Sequence, residues 1–102
     1  MNKPVRLEAI AEEELTAAEA FYEERAGLGG DFLSAIRDAA SLVAERPRSF
    51  PLARGISAPL GVRRCPVRRF PYALYFIERP DEHRVIAIAH DRRRPGYWRH
   101  RI

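Results

Sequence analysis

The chain predicts an α+β domain: an N-terminal helical hairpin packed on a small, mainly antiparallel β-sheet. Two stretches with helical spacing of apolar residues come first, joined by a glycine-rich turn too short to separate them. Three runs rich in β-branched and aromatic residues follow, divided by a Phe70-Pro71 corner and by Pro80-Asp81-Glu82-His83. At 102 residues the chain has material for one core, so a single domain over 1–102 is expected.

Val5 and Leu7 alternate with Pro4, Arg6 and Glu8, which suggests a short opening strand. Over residues 9–26, Ala11, Leu15, Ala18 and Tyr22 recur on one helical face, and acidic Glu12, Glu13, Glu14, Glu19, Glu23 and Glu24 take the other sides. The early glutamates also suit the positive end of a helix dipole. Gly27-Leu28-Gly29-Gly30 supplies the left-handed backbone that ends a helix, and a second helical pattern starts at once with Phe32, Ile36, Ala39 and Val43. So short a connection makes the two helices antiparallel neighbours. Pro47 and Pro51 end the second helix, and residues 52–61, with Gly55, Pro59 and Gly61, read as a loop. Residues 62–69, 72–79 and 84–90 then read as three consecutive strands of an antiparallel meander. The run 85–89 is apolar at every position, which places it mid-sheet with both faces covered.

A hydrophobic content of 46% and a charged content of 31% exclude disordered, collagen-like and disulfide-scaffold classes. Cys65 stands alone, so it can form no internal disulfide, and no Cys/His cluster offers a zinc site; a reducing, cytoplasmic home follows as the expectation. No apolar run approaches the ~20 residues that span a bilayer, and residues 1–9 lack a signal-peptide apolar region, so neither a membrane nor a secreted location is expected. The net charge of +4 is unevenly spread: residues 1–45 carry 4 Lys/Arg against 10 Asp/Glu, and residues 46–102 carry 14 against 4. A strongly basic half points to an anionic partner, either nucleic acid or an acidic protein.

Three constellations carry candidate chemistry. Arg63, Arg64, Arg68 and Arg69 lie on one expected strand, where Arg64 and Arg68 share one side and Arg63 and Arg69 the other; Arg92, Arg93, Arg94, Arg99 and Arg101 follow the last strand. Guanidinium groups grip phosphate through paired donors at every biological pH, so the set suits target binding, or charge stabilisation in phosphoryl transfer. Any single arginine is better explained as an edge-strand charge paired with helix glutamates, whereas the set as a whole favours binding. His90, Tyr97 and Trp98 sit at and beyond the end of the last strand. His90 and Tyr97 are candidates for proton transfer in RNA cleavage; alternatively His90 bonds its loop while Tyr97 and Trp98 fold back over an open core edge. The glutamates of the first helix are read as a solvated face, because consecutive helical positions diverge by about 100° and cannot converge on a metal. Glycines 27, 29 and 30 are a helix turn and not a phosphate loop. No metal and no cofactor is expected.

Phe70-Pro71-Tyr72-Ala73-Leu74-Tyr75-Phe76, the strand ending Ala89-His90, and Arg92-Arg93 followed by Pro95 and Tyr97-Trp98 together resemble the RelE/ParE superfamily of toxins. Phe21-Tyr22 and the Gly27-Leu28-Gly29 turn before Phe32 extend the resemblance, in its plasmid-stabilisation branch, over nearly the whole chain. The resemblance implies the growth-inhibiting toxin of a type II toxin–antitoxin module, bound in a hetero-oligomer by a cognate antitoxin, with Tyr72 and Trp98 as partner contacts. It further implies one of two targets. Members similar to ParE poison DNA gyrase; members similar to RelE cut messenger RNA on the ribosome without a metal, for which Arg64, His90 and Tyr97 are the candidate catalytic residues here. In the nuclease branch an arginine commonly follows the tyrosine matching Tyr72, and here that position is Ala73; Pro66 occupies another expected basic position. Gyrase poisoning, message cleavage and a purely protein-binding relative all stay open, with Arg63, Arg68, Arg69, Arg92, Arg93 and Arg94 as expected target contacts.

Overall fold

A computed structural model describes residues 2–56 and 58–102, so the expected loop at 52–61 is described except at position 57. The elements run β1 (Val5–Leu7), α1 (Ala9–Ala26), α2 (Gly29–Glu45), β2 (Val62–Pro66), β3 (Tyr72–Glu78) and β4 (His83–His90), with short 3-10 turns at Pro47–Ser49, Ala58–Leu60 and Arg99–Arg101. Four strands form one sheet in the order β1-β4-β3-β2. The expected meander is present as β2-β3-β4, and β1 joins β4 in parallel, making the sheet mixed.

The helical faces follow their spacing. Ala11 and Ala18 of α1 are buried, with Leu15 and Tyr22 packed beside them, and α2 buries Phe32, Ala35, Ile36, Ala39 and Val43. Gly27 closes α1 at φ 66°, donating to the Glu23 carbonyl at 3.0 Å, a left-handed position that glycine takes at no steric cost. The Glu23 carboxylate then accepts the Gly29 N–H at 3.1 Å, so a side chain of α1 satisfies an otherwise orphaned donor of α2.

β4 is covered on both faces, as its apolar run predicts. Phe32, Leu74, Phe76, Val85 and Ile88 pack between sheet and helices. On the opposite face Val62, Ile77, Ile86, Ala87 and Trp98 form a second cluster. Consecutive Ile86 and Ala87 share that cluster because the β3–β4 register shifts between Tyr75 and Phe76, inserting one extra residue on β4. Segments 50–56 and 96–102 supply the cover that no helix gives here.

The expected strand 62–69 is corrected: β2 ends at Pro66, and Arg68 and Arg69 lie in the turn to β3. Proline cannot extend a ladder on its donor side, and Arg69 adopts φ 72°, outside the extended region. The face assignment of Arg68 and Arg69 therefore lapses. The outer edge of β2 is closed, since Arg64 N–H bonds the Pro51 carbonyl at 3.0 Å and Ala53 N–H bonds the Val62 carbonyl at 2.8 Å. Among the described residues no helix is long and apolar enough to cross a membrane.

Candidate target-binding surface

The start of β3 and the end of β4 lie side by side, with Tyr72 opposite His90, so the turns beyond them meet at one end of the sheet. The Asp91 N–H donates to the Pro71 carbonyl at 2.8 Å and ties the two turns together. In the first turn, Val67 N–H bonds the Tyr72 carbonyl at 2.9 Å, and Arg69 is held left-handed, a conformation costing a non-glycine residue about 1–2 kcal/mol. In the second, His90 Nδ1 accepts the Arg92 N–H and the His90 carbonyl accepts the Arg93 N–H, each at 3.0 Å. Because Nδ1 is an acceptor, the neutral imidazole carries its proton on Nε2. Arg68, Arg69, Arg92, Arg93 and Arg94 are all exposed here.

Arg64, His90 and Tyr97, the nuclease candidates, are brought together around a depression of about 120 Å³. Each is already engaged. Arg64 Nη2 pairs with Asp91 at 3.0 Å; burial alone would lower its pKa, but Tyr75 and Asp91 raise it, so the group is a fixed cation. The Tyr97 hydroxyl donates a short hydrogen bond to Glu14, and burial followed by that bond pushes the phenol well above its ordinary range. Arg101 grips the same carboxylate with two bonds, at 3.0 and 3.1 Å, and also donates to the Ile86 carbonyl at 3.0 Å. A fourth bond to Glu14 comes from the Ile88 N–H at 3.0 Å. Arg93 lies over the Tyr97 ring, 3.9 Å from its centroid.

The remaining candidates divide. Arg63 turns back to the Phe50 carbonyl at 2.7 Å and is half-buried. Tyr72 is half-buried between Phe32 and His90, each ring 5.1 Å away, and burial raises its pKa. Trp98, expected as a partner contact, is 2% exposed and its indole tilts against Tyr75 at 4.8 Å within the second core cluster. Arg99, also exposed, reaches the Gly55 carbonyl at 3.0 Å. Ala73 is 0% exposed, so the position where the nuclease branch carries arginine is sealed by packing.

Glu14 escaped the sequence reading, which placed it on a solvated face. Its partners on the C-terminal arm lie 83 and 87 positions away, beyond any local pattern. A signal did exist: Glu14 stands three residues after Ala11 and four before Ala18, hence on the buried face, unlike Glu12 and Glu13.

The profile of the family described as "ParE toxin of type II toxin-antitoxin system, parDE" matches residues 5–95. The chain belongs to the ParE toxin family. A solved structure titled "Chromosomal ParDE TA system from P. aeruginosa" contains a chain similar to it, with 18% identity and a TM-score of 0.71, covering 86% of this chain and 95% of that one. That likeness fixes a shared fold: two helices on a four-stranded mixed sheet, as in ParE. No curated protein matches the sequence. The expected membership of the RelE/ParE superfamily, and with it the role of toxin in a type II module, thus stands by the family profile, and the fold agrees with it.

Proposed function

We propose that this ParE-family toxin inhibits growth in the cytoplasm by binding and poisoning DNA gyrase, and that a cognate antitoxin neutralises it in a hetero-oligomer. The observation carrying this reading is the engagement of the Tyr97 hydroxyl by Glu14, a carboxylate that Arg101 also holds. A phenol that donates to a carboxylate and resists ionisation is a poor general base, because proton abstraction needs a pKa near the working pH. Sealed Ala73 removes a second group that message cleavage would use. What stays accessible is a surface of arginines, suited to contact. Masking by an antitoxin carrying acidic and apolar groups is the complementary chemistry.

A ribosome-dependent endoribonuclease is the second reading, favoured by one observation: Arg64 and His90 line the same depression, and the Arg92 N–H occupies only the Nδ1 side of the imidazole. Expression of the chain with and without its antitoxin, followed by toeprint mapping of ribosome-bound messages, separates the readings. The gyrase reading expects arrested growth without the antitoxin and uncut messages. Cut messages would transfer the assignment to the nuclease, and unimpaired growth in both cultures would leave only an inactive protein-binding relative.

A further inference from the structure

The strained backbone at Arg69 points to use. A left-handed arginine at an exposed turn is disfavoured, and glycine would sit there without strain; such residues persist where the side chain is needed. Arg69 reaches an internal carboxylate only weakly, with Asp31 3.6 Å away and both side chains more than half exposed (64% and 54%). Arg68, Arg92, Arg93 and Arg94 have no carboxylate partner among the described residues. The Asp91-to-Pro71 bond and the His90 contacts hold the backbone that carries these arginines as two joined turns, so only the side chains remain to be ordered when an anion arrives.

The rings at this end decide which anion. Recognition of single strands stacks bases on free aromatic faces. Here Arg93 lies over Tyr97 at 3.9 Å, Tyr72 is wedged between Phe32 and His90, and Trp98 is buried, while Phe21, 47% exposed with Arg25 over its ring at 4.7 Å, is the one of these rings left open. Five guanidinium forks beside a single open ring suit a phosphodiester backbone whose bases are already paired better than a run of splayed bases.

We propose that the joined turns at 67–71 and 91–95 form a phosphate-binding surface through which Arg68, Arg69, Arg92 and Arg93 contact the backbone of duplex DNA. The choice of DNA as the source of phosphate rests on the gyrase reading; the surface itself does not. In the poisoned complex the toxin would then touch the DNA held by the enzyme as well as the enzyme.

Fluorescence anisotropy of the purified full chain tests this with a mixed-sequence DNA duplex, single-stranded RNA of matching sequence, and polyglutamate as an acidic competitor. Duplex binding is expected to weaken steeply between about 50 and 200 mM salt. Arg69→Gly is expected to bind about tenfold more weakly, with the salt slope reduced by about 0.9, while its thermal midpoint does not fall because the turn is relieved. Arg92→Ser, at an exposed side chain, should show the same loss. Absence of duplex binding, unchanged affinity and slope in both variants, or tighter binding of the RNA or of polyglutamate would overturn the inference. Duplex binding by a protein that traps no gyrase would leave this surface standing and remove the gyrase reading; trapping without duplex binding would do the reverse.

Discussion

Glu14 accepts hydrogen bonds from Tyr97, from both terminal nitrogens of Arg101 and from the Ile88 backbone, so one carboxylate holds the C-terminal arm against the sheet. Glu14 and Arg101 are largely withdrawn from water, at 17% and 11% side-chain exposure, and removing one partner strands the other. Glu14→Gln is therefore expected to destabilise by about 3 kcal/mol and Tyr97→Phe by about 1 kcal/mol, read as shifts in the urea midpoint at constant slope. Tyr97→Phe should keep its toxicity, since the hydroxyl serves the fold. His83 is the second residue with a legible consequence. It is 1% exposed, with Nδ1 unpartnered, and burial, then nearby Lys3, lowers its pKa against an opposing pull from Glu78. The unfolded chain takes up the proton near pH ~6.5 and the folded chain only at lower pH. Stability is thus full above about 6.5 and declines as pH falls from there towards the folded-state value. Urea midpoints measured between about pH 7.5 and about pH 5 should show this decline, and His83→Leu should flatten it in that window.

The two helices and the central strand were readable because their physics is local: α1 and α2 show it in apolar spacing, and β4 in an unbroken apolar run. β2 was overextended because Val67, Arg68 and Arg69 have the composition of a strand, whereas its end depends on Pro66 lacking a donor and on one left-handed arginine. The C-terminal arm was the least readable element. It has no period of its own and is placed by Trp98 entering the second core and by the Glu14 clamp. Trp98→Ala should cost about 3–5 kcal/mol through the cavity it leaves beside Ile86 and Tyr75, seen as a lowered thermal midpoint. A variant this damaging while remaining folded would place the arm inside the cooperative unit; an unchanged midpoint would make it a loose tail.

Across the molecule, charge and fold are partly segregated. Nine of the ten acidic residues of 1–45 lie on α1 and α2, and the arginines of 63–101 border the sheet, five of them exposed on its joined turns. The basic set visible in the sequence was thereby resolved into roles: Arg64 and Arg101 fixed by carboxylates, Arg63 and Arg99 bound to backbone carbonyls, and Arg68, Arg69, Arg92, Arg93 and Arg94 facing outward. No sequence pattern could make that division, because every partner lies on a distant element. The candidate chemistry divides likewise, with Tyr97 turned to structure while the outward arginines stay available to a target. Incubation of the purified protein with gyrase, ATP and supercoiled plasmid, followed by denaturation and gel analysis, puts this to the most direct test. Toxin-dependent double-strand breaks that require gyrase, persist in Tyr97→Phe and fall when the outward arginines are replaced are the expected result; intact plasmid at every toxin concentration, with cut messages on ribosomes, would contradict it.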